Sequence, residues 1–134
     1  MLFNFRAIKP LLIACTLLAF QVSQASAKTV TSKILVFARN AAEATSGTSG
    51  LNAYGIPYQL VLVPQSGITL PTLSSGTVGN YGGIIVLSEV AYEYSSGWAS
   101  GISTAQWQAL YNYQIAFGVR LVRLDVYPEE EFGE

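Results

Sequence analysis

Four apolar runs punctuate the chain from residue 33 onward, and none of them alternates with polar residues. Lys33-Ile34-Leu35-Val36-Phe37-Ala38 opens the series, Tyr58 to Val63 (YQLVLV) repeats it, Ile84 to Leu87 is the third and Val119 to Val126 the fourth. A strand with one wet face alternates, whereas a strand covered on both faces is apolar throughout, so the runs predict a mainly parallel sheet. Pro57 and Pro64 bracket the second run, at positions where a strand tolerates a missing N–H.

Parallel strands need crossovers, and the last one carries the clearest helix. Ser103 and Gln106 have capping-box spacing, Trp107, Leu110, Tyr111 and Phe117 recur at helical intervals, and Gly118 can end the element, which predicts a helix over Thr104–Phe117 with Trp107 in the core. In the first crossover, Ser46-Gly47-Thr48-Ser49-Gly50 reads as a break, leaving a short helix near Gly50 to Tyr54. Residues 64 to 83 read as a packed loop with one helical turn around Leu70 to Leu73, its Ile68, Leu70 and Leu73 turned inward. The order predicts an α/β fold, doubly wound around a four-stranded, mainly parallel sheet, with no internal repeat. Such a sheet with few covering helices leaves apolar faces and edges open, so 28–134 is expected to be a single α/β module, the N-terminal part of a longer domain.

The first residues are expected to be an export signal rather than part of this fold. Arg6 and Lys9 supply the positive region, Leu11 to Phe20 is apolar except for Thr16, and Ala25-Ser26-Ala27 has the small-x-small form of a cleavage site. A membrane anchor needs about 20 apolar residues and this run has roughly half, so residues 1–27 are expected to be removed and the product secreted, extracellular and free of the membrane. Cys15, the one cysteine, leaves with the signal, so the core or a larger parent must replace the disulfides that secreted domains often use.

From Lys28 onward five basic residues face eight acidic ones, four of them at Glu129, Glu130, Glu131 and Glu134. No basic stripe exists to neutralise phosphates, so no nucleic-acid partner is expected, and Glu129 to Glu131 read as a solvated turn. With 11% charged and 12% aromatic residues the surface should be neutral and rich in hydroxyls, which suits an uncharged or mildly cationic polymer.

In doubly wound sheets ligands sit beyond the carboxyl ends of the strands, where the strand order reverses. With the first strand central and the second and third beside it, the switch lies between the first and third. Arg39 and Asn40, Ser88 and Glu89, and Asp125 and Tyr127 leave those ends. Ser88 lacks the flanking glycines of a nucleophile elbow, and no histidine is present to activate it. Glu89, Glu93 and Asp125 are too sparse for a calcium site, zinc sites usually include histidine, and Gly47, Gly50 and Gly55 do not form a phosphate cradle; neither metal nor cofactor is expected. Glu89 and Asp125 as a paired-carboxylate glycosidase is a weak reading. Tyr92, Tyr94 and Trp98 lie in a Ser/Gly-rich segment and read in two ways. They stack on sugar rings, with neighbouring polar groups satisfying the hydroxyls, or Trp98 folds back over the open sheet face with the tyrosines flanking it.

The stretches KILVFARNAAEATSGTSGLNAYGIPYQLVLVP (33–64), YGGIIVLSEVAYE (81–93) and AQWQALYNYQIAFGVRLVRLDVYPEEEFG (105–133) together resemble the N-terminal region of fungal secreted polysaccharide deacetylases that act on galactosaminogalactan. In those proteins a carbohydrate-binding module and an esterase domain share one chain. The strand-helix-strand layout is also similar to glutamine-amidotransferase-like domains, whose catalytic cysteine and histidine have no counterparts here. The deacetylases work through a metal-binding set of aspartate and histidines, and this chain contains no histidine. The resemblance therefore implies a non-catalytic N-terminal module that binds an amino-sugar polysaccharide; the strand-end argument, not the resemblance, assigns stacking to Tyr92, Tyr94 and Trp98 and orientation to Arg39, Asn40, Glu89 and Asp125. The alternatives are a structural segment packed against the rest of a longer polypeptide, with no ligand of its own, and a small glycan hydrolase.

Overall fold

A computed structural model describes residues 27–126. The expected export signal of residues 1–27, but for Ala27, lies outside the described residues, as do Tyr127 and the acidic tail. In chain order the elements are β1 (Thr29–Val30), β2 (Ile34–Ala38), α1 (Ala41–Ala53), β3 (Tyr58–Leu62), β4 (Ser74–Ser75), β5 (Val78–Gly79), β6 (Gly83–Leu87), β7 (Ala91–Tyr94), β8 (Gly97–Ser100), α2 (Thr104–Phe117) and β9 (Arg120–Leu124). The main sheet runs β3-β2-β6-β9 with every pairing parallel, as the sequence predicts, and the second and third runs flank the first, the condition on which the switch point rests.

Side chains alternate along a strand, and in β2 the alternation separates two cores. Leu35 and Phe37 enter a cluster with Ile84, Val86, Leu110 and Tyr113, while Val36 and Ala38 join Ala44 and Leu87. Leu35 to Ala38 are fully buried, each large side chain contributing roughly 1.5–3 kcal/mol of hydrophobic stabilisation, while Ile34 at the start of the strand is half-buried. The α2 helix covers the first face and α1 the second.

The α1 helix is longer than predicted and takes in the whole Ser/Gly/Thr segment. Asn40 caps it by accepting from the Glu43 N–H at 2.9 Å, and the Thr48 hydroxyl donates to the Ala44 carbonyl at 2.9 Å. The small residues permit close approach: a Cβ on Gly47 would lie 3.2 Å from Leu87 Cδ1. Low local propensity is offset by tertiary contact. The α2 helix runs over the predicted span, with a complete capping box at Ser103 and Gln106 and Gly118 left-handed at its end.

Residues 70 to 73 form no helical turn. Asn80 holds this stretch extended, its side chain donating to the Thr72 carbonyl and its backbone N–H to that of Leu73. Ile68, Leu70 and Leu73 nevertheless pack on the larger core, as predicted. Beyond them β4 and β5 form a hairpin to which β1 adds. The segment after β6 is also more ordered than a loop, for β7 and β8 pair antiparallel as a hairpin.

Candidate functional site

The carboxyl ends of β2, β3, β6 and β9 form one edge of the sheet, and the chain leaves it in different ways. After β6 it turns through Ser88, Glu89 and Val90 with φ of 47°, 54° and 46°, and Asp125 after β9 has φ 56°. Each left-handed residue with a side chain costs roughly 1–2 kcal/mol. The Ser88–Val90 turn is held by its surroundings: Val90 is fully buried, its carbonyl accepts from the Gly101 N–H at 2.9 Å, and the Glu89 carbonyl accepts from the Ser100 hydroxyl at 2.7 Å. The turn sends the chain into the β7–β8 hairpin instead of a helix.

That hairpin is fastened to the segment after β3. Tyr92 Oη donates to the Val63 carbonyl at 2.6 Å, Tyr94 Oη to the Gln65 carbonyl at 2.7 Å, and Gln65 Nε2 to the Glu93 carbonyl at 2.8 Å. Glu93 is paired with Trp98 across the hairpin, and Tyr92 with Ala99. Alternation puts Trp98 on the face opposite the two tyrosines, so the three rings do not share one plane. Nor does Trp98 cover the sheet, because it is 69% exposed.

The charged residues fall into two groups. Arg39 donates from Nε to both Glu43 carboxylate oxygens at 3.2 Å, from its backbone N–H to Oε2 at 2.8 Å, and from Nη1 to the Ala91 carbonyl at 3.2 Å. Burial alone would push the Glu43 carboxyl up, but hydrogen bonds from Arg39 and Ser88, with the Arg39 charge, hold it below the ordinary range. The Ser88 hydroxyl also lies 3.1 Å from Asp125 Oδ2, so its single hydrogen serves one carboxylate at a time. Asn40 is occupied as the α1 cap.

In the second group, Arg123 Nη1 reaches Glu89 Oε1 at 2.6 Å, Nη2 reaches Tyr111 Oη, and the guanidinium lies 4.8 Å from the Trp107 ring centre. Trp107 and Tyr111, one helical turn apart, stack with centroids 5.9 Å apart. Trp107 is half-buried against the larger core, so it is both a core residue, as predicted, and the wall of a surface hollow.

Two hollows open beside the first turns of α2. A cleft of about 490 Å³ is bounded by 65–69, Tyr94, Ser100, Gly101, Ser103 and Gln106, and is mostly hydroxyl, amide and backbone. Gln106 ties its wall together, accepting from the Ser103 N–H at 2.9 Å and donating to the Ile68 carbonyl at 2.6 Å. A hollow of about 300 Å³ is lined by Glu89, Thr104, Trp107, Tyr111 and Arg123. Of the residues selected from sequence, Tyr94 borders the first and Glu89 the second; Arg39, Asn40 and Asp125 lie with Glu43 and Ser88, and Tyr92 braces the hairpin. Gln65, Gln106, Trp107, Tyr111 and Arg123 also line these hollows, beyond the site residues that the sequence points to. The i, i+4 pair Trp107 and Tyr111 was the readable signal for one of the hollows. Among the described residues no group of three or more acids, histidines or cysteines is placed to hold a metal, and no helix is long and apolar enough to cross a membrane.

Residues 30–134 match the family model described as Agd3 CBM87, a carbohydrate-binding module. The fold is similar to the crystal structure of Agd3, described as a novel carbohydrate deacetylase, with 56% sequence identity and a TM-score of 0.75. That match covers 78% of this chain but spans 16% of the deacetylase. No curated protein matches the chain.

Proposed function

The chain belongs to the CBM87 family, and from that premise we propose that it is a secreted module that holds an amino-sugar-containing polysaccharide for a deacetylase domain. The observation that carries the reading is the open cleft of about 490 Å³ between the β3 exit, the hairpin and α2, a volume within the roughly 300–1,000 Å³ of small-molecule sites. Its lining of hydroxyl, amide and backbone groups, Ser66 and Thr69 among them, suits the hydroxyls of a sugar. Tyr94 gives it an aromatic side, and the exposed Trp98 on the other face of the same hairpin offers a second ring to a polymer wrapping the tip.

Binding is tested by retention on the immobilised polysaccharide. Trp98→Ala is expected to weaken retention about fivefold and Tyr94→Ala together with it about thirtyfold, taking roughly 1 kcal/mol for each stacked ring. Unchanged retention by a folded double variant would overturn the reading.

A second reading has its own observation. Ile115 is 81% exposed, and Leu62 and Val122 on the two edge strands are 47% and 43% exposed. These suit a segment covered by the rest of a longer polypeptide and binding no ligand itself. It predicts strong binding of a hydrophobic dye by the chain alone; a monodisperse chain that ignores the dye would count against it.

A further inference from the structure

The β7–β8 hairpin has two faces of different chemistry. Tyr92 and Tyr94 share one of them, where their hydroxyls are bound to the carbonyls of Val63 and Gln65 and Tyr94 borders the cleft. Glu93 and Trp98 are register partners and share the other. Directly opposite residues of an antiparallel pair hold their Cβ atoms about 4.5–5.5 Å apart, so one ligand can touch both side chains. Both are exposed, Trp98 to 69%.

Neither side chain has a partner, and that sets the pair apart. Of the acids among the described residues, Glu43 is held by Arg39, Glu89 by Arg123, and Asp125 by the Ser88 hydroxyl. The Glu93 carboxylate makes no hydrogen bond or ion pair among the described residues, and the Trp98 indole makes no ring contact or hydrogen bond among them. The cations of the chain are placed elsewhere. Lys33 and Arg120 stand at the amino edge of the sheet, whereas the hairpin leaves its carboxyl edge. Lys28 is bound to the Ala116 carbonyl near the end of α2, and Arg39, which touches the hairpin at the Ala91 carbonyl, is held by both Glu43 oxygens. A negative charge and an exposed indole thus lie side by side, and a cation for them has to come from a ligand.

We infer that Glu93 and Trp98 form a subsite for a sugar that bears a protonated amine. The inference rests on the carbohydrate-binding reading above and adds the charge state of the ligand. The indole packs against the C–H side of the sugar ring, and its negative π-face attracts the adjoining ammonium. The carboxylate supplies the counter-charge and accepts the ammonium N–H groups. An acetamido group is uncharged and gains neither attraction. The cleft on the other face has no acidic or basic side chain among its described lining, so it offers a protonated amine no counter-charge. A polymer with both free and acetylated amines meets a neutral surface on one side of the hairpin and an anionic one on the other.

The test compares two probes of equal length, the hexamer of N-acetylgalactosamine and the same hexamer after chemical deacetylation, titrated calorimetrically into the chain at low ionic strength. The deacetylated hexamer is expected to bind at least about fivefold more tightly, the scale of an exposed ion pair joined to an exposed cation–ring contact. Glu93→Gln keeps the shape and removes the charge, so it should bring the two hexamers to within about twofold of each other. Salt at about 0.5 M should do the same to the wild type, because exposed charges are screened. Fluorine spectra locate the contact: with 5-fluorotryptophan at Trp98 and Trp107, assigned from the ligand-free spectrum of Trp98→Phe, the Trp98 resonance should move with the deacetylated hexamer. Should Glu93→Gln fail to fold, the salt and fluorine measurements on the wild type decide. Equal affinities, tighter binding of the acetylated hexamer, a preference that survives Glu93→Gln, or an unmoved Trp98 resonance would each overturn the subsite, while binding of either hexamer keeps the carbohydrate-binding reading. If neither hexamer binds, that reading falls and this inference with it.

Discussion

The two helices cover opposite faces of one sheet by opposite means. The α1 helix meets its face with Ala44, Gly47 and Thr48, so its backbone comes down almost onto Leu87 and Ile85. The α2 helix meets its face with Trp107, Leu110, Tyr113 and Phe117, whose bulk holds the backbone away and leaves room along its flanks. Both hollows described above lie beside α2. Close packing by small residues makes a seam, whereas packing by large rings makes recesses bounded by polar groups. In this molecule the recesses on the surface are a by-product of how a core is filled.

If this contrast is right, the two faces should fail in opposite ways. The largest effect is expected from Leu110→Ala, which empties a fully buried position under α2 and should cost about 3 kcal/mol in urea unfolding. Gly47→Val is the converse on α1, pressing a branched side chain into Leu87; a loss of about 2 kcal/mol is expected in the same assay, and a neutral result would mean the seam is looser than drawn. Gly50→Ala, on the same helix but with open space where the Cβ would go, should gain up to about 1 kcal/mol.

A smaller effect separates α1 further. Glu43 ties its first turn to Arg39, and Glu43→Gln should cost about 1 kcal/mol at neutral pH, discounted because Arg39 is partly exposed. The folded-state pKa of Glu43 is depressed, so its contribution is full above the unfolded value of about 4.3 and is lost as pH falls through the depressed one. The stability gap between wild type and variant should therefore close in acid, and a gap constant down to pH 2 would remove Glu43 from this role.

The two faces also differ in how far they could be read in advance. The four strands announce themselves because a doubly covered strand has no polar positions to disguise it, and α2 because its capping box and periodic rings are local signals. In α1 the decisive facts are distant. Gly47 reads as a breaker until Leu87, forty residues on, is seen to need the space. The pair Asn40 and Glu43 was the local clue, a cap and a first-turn acid at the right spacing. The carboxyl edge was legible from topology, but its contents were not. Tyr92 and Tyr94 look free in a Ser/Gly-rich stretch, yet their hydroxyls are taken by carbonyls of residues 63 and 65. Gln65 and Gln106 look like ordinary surface residues, and only the folded chain turns them into walls.

The strand order has a consequence for how the molecule comes together. The central strand, β2, is among the first parts of the fold to be made, while β9, which pairs with the far side of β6, is the last. No neighbouring pair in the main sheet is joined by a tight turn, so each pairing has to close a long loop. The larger core needs Leu110, Tyr113 and Val119 from the final quarter of the described chain before Leu35 and Phe37 are covered. During synthesis the earliest apolar run must therefore wait, exposed, for α2, and a chain cut before that helix would lose the cover of its centre, whereas one lacking β9 alone would lose an edge.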